Sequence, residues 1–142
     1  MNNPEIPKSP SEPEGWSTGD YLVDYCLTIA GSRRQATMIR RLYDEHHAAF
    51  AAYLSLDDVS PIAESLGDDF ESVYFGTYLD ERALVDEQLE ALGWREAVDI
   101  VIRREGIPEG VLTWDHDAIY EYMRRNVYDI VDLDGDLHVF SR

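Results

Sequence analysis

Three clusters in this sequence carry side chains that could do chemistry. His46 and His47 follow Asp44 and Glu45, four groups able to ligate a metal ion. Adjacent residues on a helix do not share a face, and no partner motif follows, so this cluster predicts no metal site. Asp132, Asp134 and Asp136 alternate like the start of a calcium loop. The glycine at 135 is misplaced for an EF-hand and no glutamate closes the loop; a hairpin turn at Asp134-Gly135 explains the pattern better. Asp115, His116 and Asp117 hold groups suited to acid–base work, but nothing supplies a nucleophile or a pocket. A helix N-terminus, which favours acids, accounts for both aspartates. Cys26, the sole cysteine, lies on an apolar stripe and reads as core rather than nucleophile. These residues predict no enzyme, no metal and no cofactor.

The carboxylates outnumber every other polar group. The 142 residues hold 29 acids and 12 bases, a net charge of -17. Residues 1–41 contain five acids and five bases, so the whole excess lies between 42 and 142. Lys8 is the only lysine; the other bases are arginines, which suit paired, bidentate contacts. Like charges a helical turn apart cost about 0.2–0.5 kcal/mol per pair. A sequence selected for stability alone would intersperse lysines. The acids that form this surface are Asp57, Asp58, Glu64, Asp68, Asp69, Glu71, Asp80 and Glu81, then Asp86, Glu87, Glu90, Glu96, Asp99, Glu105 and Glu109. Asp115, Asp117, Glu121, Asp129, Asp132, Asp134 and Asp136 complete it. Such a surface repels nucleic acid and anionic membranes, and attracts proteins with basic grooves.

The elements that must position these groups follow from periodicity and caps. Residues 1–16, rich in Pro, Asn, Ser and Glu, read as a flexible tail. Ser17 or Thr18 can cap a helix ending at Gly31, with Leu22, Tyr25, Cys26 and Ile29 on one face. Ser32 caps a second helix, with Ala36, Ile39 and Tyr43 inward and two arginine pairs outward. Residues 48–54 are helical again. A connection at 56–61 precedes a helical turn over 62–66 that Gly67 stops, and Tyr74–Tyr78 reads as an aromatic turn. Residues 80–92 form a helix with Leu84, Val85, Gln88 and Leu92 on its apolar side and Asp86, Glu87 and Glu90 opposite. Residues 94–104 form another, with Trp94, Ala97, Val98 and Val101 on one face. Asp115 caps a helix to about 126, with Ile119, Tyr122 and Met123 inward, and 128–140 is a hairpin. The fold class is α+β and helix-rich: a helical part over 17–67, then an α+β part over 68–142. The lack of an apolar run of roughly 18 residues predicts no membrane span, and together with the lone cysteine favours the cytoplasm.

The segments AFAAYL (49–54), DDFESVYFGTYLDERALVDEQLEALG (68–93), IPEGVLTWDHDAIYEYM (107–123) and VYDIVDLDGDLHVFSR (127–142) occur in an order that resembles the ArdA-like antirestriction proteins. The matching positions are Phe50, Tyr53, Leu54, Tyr74, Gly76, Tyr78, Ile107, Pro108, Asp115, Ala118, Tyr128, His138, Val139 and Phe140. The resemblance covers about two-thirds of the chain and rests on order and spacing. It implies an elongated homodimer similar in shape and charge to bent B-form DNA. Such a protein occupies the DNA-binding groove of type I restriction–modification enzymes, is carried by plasmids, transposons and phages, and acts without catalysis. Near the family's dimer region stand Trp114, Tyr120 and Tyr122, which the resemblance implies as interface residues. Three departures stand out. The family's β-rich N-terminal domain has no counterpart. Tyr120-Glu121-Tyr122 replaces a small residue and Arg-Asp, and Thr77 stands where an acid is common. The alternative expectation is a small acidic adaptor, or an anti-CRISPR-type inhibitor, that contacts one protein through a specific patch.

Overall fold

Asp20, rather than Ser17 or Thr18, opens the first helix. A computed structural model describes residues 17–142; the expected tail over 1–16 lies outside the described residues. In helix α1 (Tyr21–Ile29) the Asp20 side chain accepts from the Val23 N–H. The two hydroxyl residues instead bond Asp24, through Thr18 N and Oγ1 at 2.7 and 2.8 Å and Ser17 Oγ at 3.3 Å. The buried face is also displaced from the expected one. Val23, Cys26 and Leu27 are buried, while Tyr25 and Ile29 are exposed.

Ser32 caps α2 (Arg33–His46) by accepting from Gln35 N, as the spacing predicts. Gln35, Ala36, Ile39 and Leu42 face inward; Tyr43 is only half-buried. Buried Gln35 spends both amide protons on the carbonyls of Pro61 and Ala63, which ties the connection to the helix. His47, at φ 49°, breaks the chain between α2 and α3 (Ala48–Leu54). His46 sets its ring edge-on to Phe70, with centroids 4.8 Å apart. Gly67 does not stop a helix. It lies inside α4 (Leu66–Val73), buried, where an added Cβ would meet Met38 Sδ at 3.0 Å. A glycine chosen for close approach looks the same in sequence as one chosen to end a helix.

The chain divides into two compact units, Met1–Ser72 and Val73–Arg142. Residues 74–78, expected as a turn, form strand β1 (Tyr74–Tyr78). Helices α5 (Glu81–Ala91), α6 (Trp94–Glu105) and α7 (His116–Asn126) follow, then strands β2 (Tyr128–Leu133) and β3 (Asp136–Ser141). The sheet order is β1-β3-β2, antiparallel throughout. Asp134 and Gly135 both take positive φ in the β2–β3 turn, the geometry that Asp-Gly favours. A register shift between Tyr74 and Gly76 bulges β1. The architecture is therefore α+β.

The core of the second unit joins Leu84, Val85 and Leu89 of α5 to Tyr120 and Met123 of α7 and to Tyr128, Leu137 and Val139 of the sheet. Leu92, expected on the buried side of α5, is exposed, and Leu89 takes the inward place. Tyr122, expected inward, is 61% exposed. No residue of α6 is buried. No helix among the described residues is long and apolar enough to cross a membrane.

Candidate acidic surface

Asp80 and Asp115 sit at the start of α5 and α7 because each carboxylate accepts a free backbone N–H, from Ala83 at 2.8 Å and Ala118 at 3.0 Å. An acid there also meets the positive end of the helix dipole. The two helix starts come together. Asp80, Glu81, Arg82, His116 and Asp117 line one open hollow of about 390 Å³. Further along, Tyr120 reports on its surroundings. Burial raises its phenol pKa, and Glu81 of α5, Glu121 of α7 and Asp132 of β2 push it the same way, against Arg124. Three elements thus bring carboxylates around one partly shielded ring.

None of the 22 acids expected on the surface is buried. Five are spoken for by arginine. Asp86 Oδ1 accepts from Arg95 at 2.6 Å and from His116 Nε2 at 3.1 Å, and Glu90 accepts from the same Arg95 at 3.3 Å. A carboxylate only accepts, so His116 carries its proton on Nε2. The Arg95 hydrogen bond, then that of His116, holds Asp86 below the usual aspartate range. Glu121 is lowered in the same way by Arg124. Glu105 pairs with Arg104, and Asp129 with Arg142. Among the described residues, the other seventeen have no arginine within ion-pair distance. Glu87, one of them, accepts the Tyr78 hydroxyl. Burial, then Glu87, raises the Tyr78 phenol well above its ordinary value.

Asp86, Glu87 and Glu90 therefore lie on one side of α5, as the spacing predicts, yet two of them knit α5 to α6 and α7. Sequence separations of 9 and 30 residues hid that network. Of the three residues that the resemblance implies at a dimer interface, Tyr120 belongs to the core, Trp114 packs half-buried against it, and Tyr122 presents a free surface.

Charge density shows what such a surface needs. Duplex DNA carries one charge per roughly 1.7 Å of axis, so about nine charges over 15 Å. From Asp80 to Glu90 the helix also spans about 15 Å. It offers five acids, Asp80, Glu81, Asp86, Glu87 and Glu90, and two arginines, Arg82 on the same helix and Arg95 from α6, offset two of the five charges. One helix falls short by more than half. The α7 start and the hairpin acids Asp132, Asp134 and Asp136 must contribute for the density to approach that of a duplex.

No family model, curated protein or solved structure matched this chain.

The remaining polar groups are structural in their contacts. Buried His138 on β3 donates from Nε2 to the Leu133 carbonyl at 3.1 Å. Its Nδ1 shares a hydrogen bond with the Thr77 hydroxyl, 3.0 Å away, which shares another with the Tyr74 hydroxyl at 2.6 Å. Burial and nearby Asp20 raise the pKa of the Cys26 thiol, which removes its nucleophilic form. Among the described residues no three His, Cys, Asp or Glu side chains are grouped to hold a metal.

Proposed function

We propose that this protein is a DNA-mimic inhibitor of the ArdA-like kind. In this reading it occupies the basic DNA-binding groove of a type I restriction–modification enzyme or a related phage-defence complex, without catalysis or cofactor. The observation that carries the proposal is the meeting of the α5 and α7 starts, where Asp80, Glu81 and Asp117 line one hollow and none of the three forms an ion pair among the described residues. Acids gathered from two helices without ion-pair partners repel one another and oppose folding, which a sequence selected for stability alone would avoid. The ordered resemblance of 49–142 to the family supports the same reading.

The test is competition. A purified type I methyltransferase core holding a labelled duplex is titrated with the protein at two salt concentrations. Displacement of DNA that weakens as salt rises is expected, because both ligands bind through the same ionic contacts. The combined variant Glu81→Gln, Asp117→Asn and Asp132→Asn should displace DNA less well than Asp86→Asn with Glu90→Gln, whose carboxylates are already engaged by Arg95. DNA that stays bound at low salt and high protein excess removes this enzyme as the target. Binding to a target without exclusion of DNA identifies an adaptor instead.

A further inference from the structure

The first unit holds a hollow of its own, about 500 Å³, between α2 and the approach to α4. Arg34, Gln35 and Met38 line it from α2, and Glu64, Gly67 and Asp68 from the other side. Its size lies in the range of small-molecule sites. Gly67 lets the two sides close up, since an added Cβ would stand 3.0 Å from Met38 Sδ.

Gln35, only 8% exposed, has an unmet demand there. Its Nε2 donates to the carbonyls of Pro61 and Ala63, neither of which lines the hollow. The other end of the amide, Oε1, has no donor among the described residues and is left to the hollow. A buried amide oxygen without a donor costs free energy, so a ligand that brings an N–H to it gains. The rim carries both signs of charge. Among the described residues Arg34 has no carboxylate within ion-pair distance, and Glu64 and Asp68 have no base. Arg41, also at the rim, is engaged by Glu45 at 2.7 Å. A simple cation would meet repulsion from Arg34, and a simple anion from Glu64 and Asp68. A zwitterion suits both.

We propose that this hollow binds a short peptide with free ends, of dipeptide size. A dipeptide carries three complementary groups on one backbone: a carboxylate for Arg34, an ammonium for Glu64 and Asp68, and between them an amide N–H for Gln35 Oε1. A free amino acid lacks the central amide. A diamine sets a cation against Arg34, and a dicarboxylate sets an anion against Glu64 and Asp68. The charged side chains are exposed, where ionic contacts are weak, so a Kd of about 1 mM is expected. Peptide binding is read on the protein alone, without a methyltransferase or DNA, so its failure is distinct from failure of the proposed function.

Titration of the nitrogen-15-labelled full chain with alanylalanine, followed by amide chemical shifts, tests this. Saturable shifts are expected over residues 32–41 and 63–68, weaker at high salt. Acetylating the peptide amine or amidating its carboxylate should each weaken binding by about tenfold, the scale of one lost charge-assisted contact. Arg34→Gln, at an exposed position and checked for folding by circular dichroism, should bind alanylalanine and its amide alike. Glu64→Gln combined with Asp68→Asn should likewise lose the distinction between alanylalanine and its acetylated form. No saturable shift by about 20 mM peptide would overturn the proposal. So would capped peptides that bind as tightly as the free one, or an Arg34→Gln protein that still prefers the free carboxylate.

Discussion

Asp80 holds two roles that a single pair of variants can separate. Its side chain accepts the Ala83 N–H at 2.8 Å from an extended backbone, satisfying a donor that has no partner within the helix. Leu84 and Val85, both fully buried, lie just beyond, so fraying of that turn reaches the core at once. Asp80→Ala removes acceptor and charge together, and should cost about 1 kcal/mol. For a unit the size of Val73–Arg142 that lowers the melting temperature by about 4–8 °C. Asp80→Asn keeps an acceptor of the same reach. It loses an attraction to the helix dipole of about 0.3–1 kcal/mol. Relief of repulsion from the adjoining Glu81 and Asp117 offsets part of that, leaving a loss of a few tenths. As a surface charge the two variants are equal, so each should weaken displacement of DNA from the methyltransferase core to the same degree. Thermal melts followed by circular dichroism read the first effect, and the competition titration reads the second. An Asp80→Asn protein as unstable as Asp80→Ala refutes the hydrogen-bond argument. One that displaces DNA as well as the native protein removes Asp80 from the mimicking surface.

Two further outcomes follow from the same structure. Leu89→Ala empties a fully buried site between α5, α7 and the sheet, and should cost about 2–5 kcal/mol in urea unfolding; a cost below 1 kcal/mol would mean the cluster collapses to refill the space. Because Arg95 and His116 hold Asp86 below its unfolded pKa, its contribution to stability is complete above the unfolded value and is lost as pH falls through the folded one. Acid unfolding of Asp86→Asn should therefore begin from a lower stability but show a shallower dependence on pH below about 4, and an identical acid limb would show that the network adds nothing.

Local chemistry was legible where it is decided locally. Ser32 and Asp115 are legible as caps because the acceptor and the N–H it takes lie three residues apart. Asp134-Gly135 was read as a hairpin turn because few residues tolerate two successive positive φ values. The errors fall where distant contacts decide. Tyr74–Tyr78 reads as a turn until β3, more than sixty residues on, supplies its hydrogen bonds. Gly67 reads as a stop until Met38 is placed against it. Asp20 lost to Ser17 and Thr18 as a cap because their bonds to Asp24 cannot be foreseen from spacing alone. Of the acidic surface, the identity and exposure of the carboxylates were readable. Which of them Arg95 ties down was not, since that depends on how α5, α6 and α7 pack.

The sheet has a consequence for how the chain is made. Its central strand, β3, follows both of its neighbours in sequence, and Tyr74 finds Phe140 only 66 positions later. While α5, α6 and α7 are being synthesised, β1 has no strand to pair with. It is five residues long and holds three aromatic rings, the kind of segment that joins its like on a neighbouring nascent chain. Asp68, Asp69 and Glu71 precede it and Asp80 and Glu81 follow it, all exposed. Carboxylates at both borders keep such strands apart by mutual repulsion. The acids that flank β1 thus protect the unfinished molecule from aggregation during the interval in which its own partner strand does not yet exist.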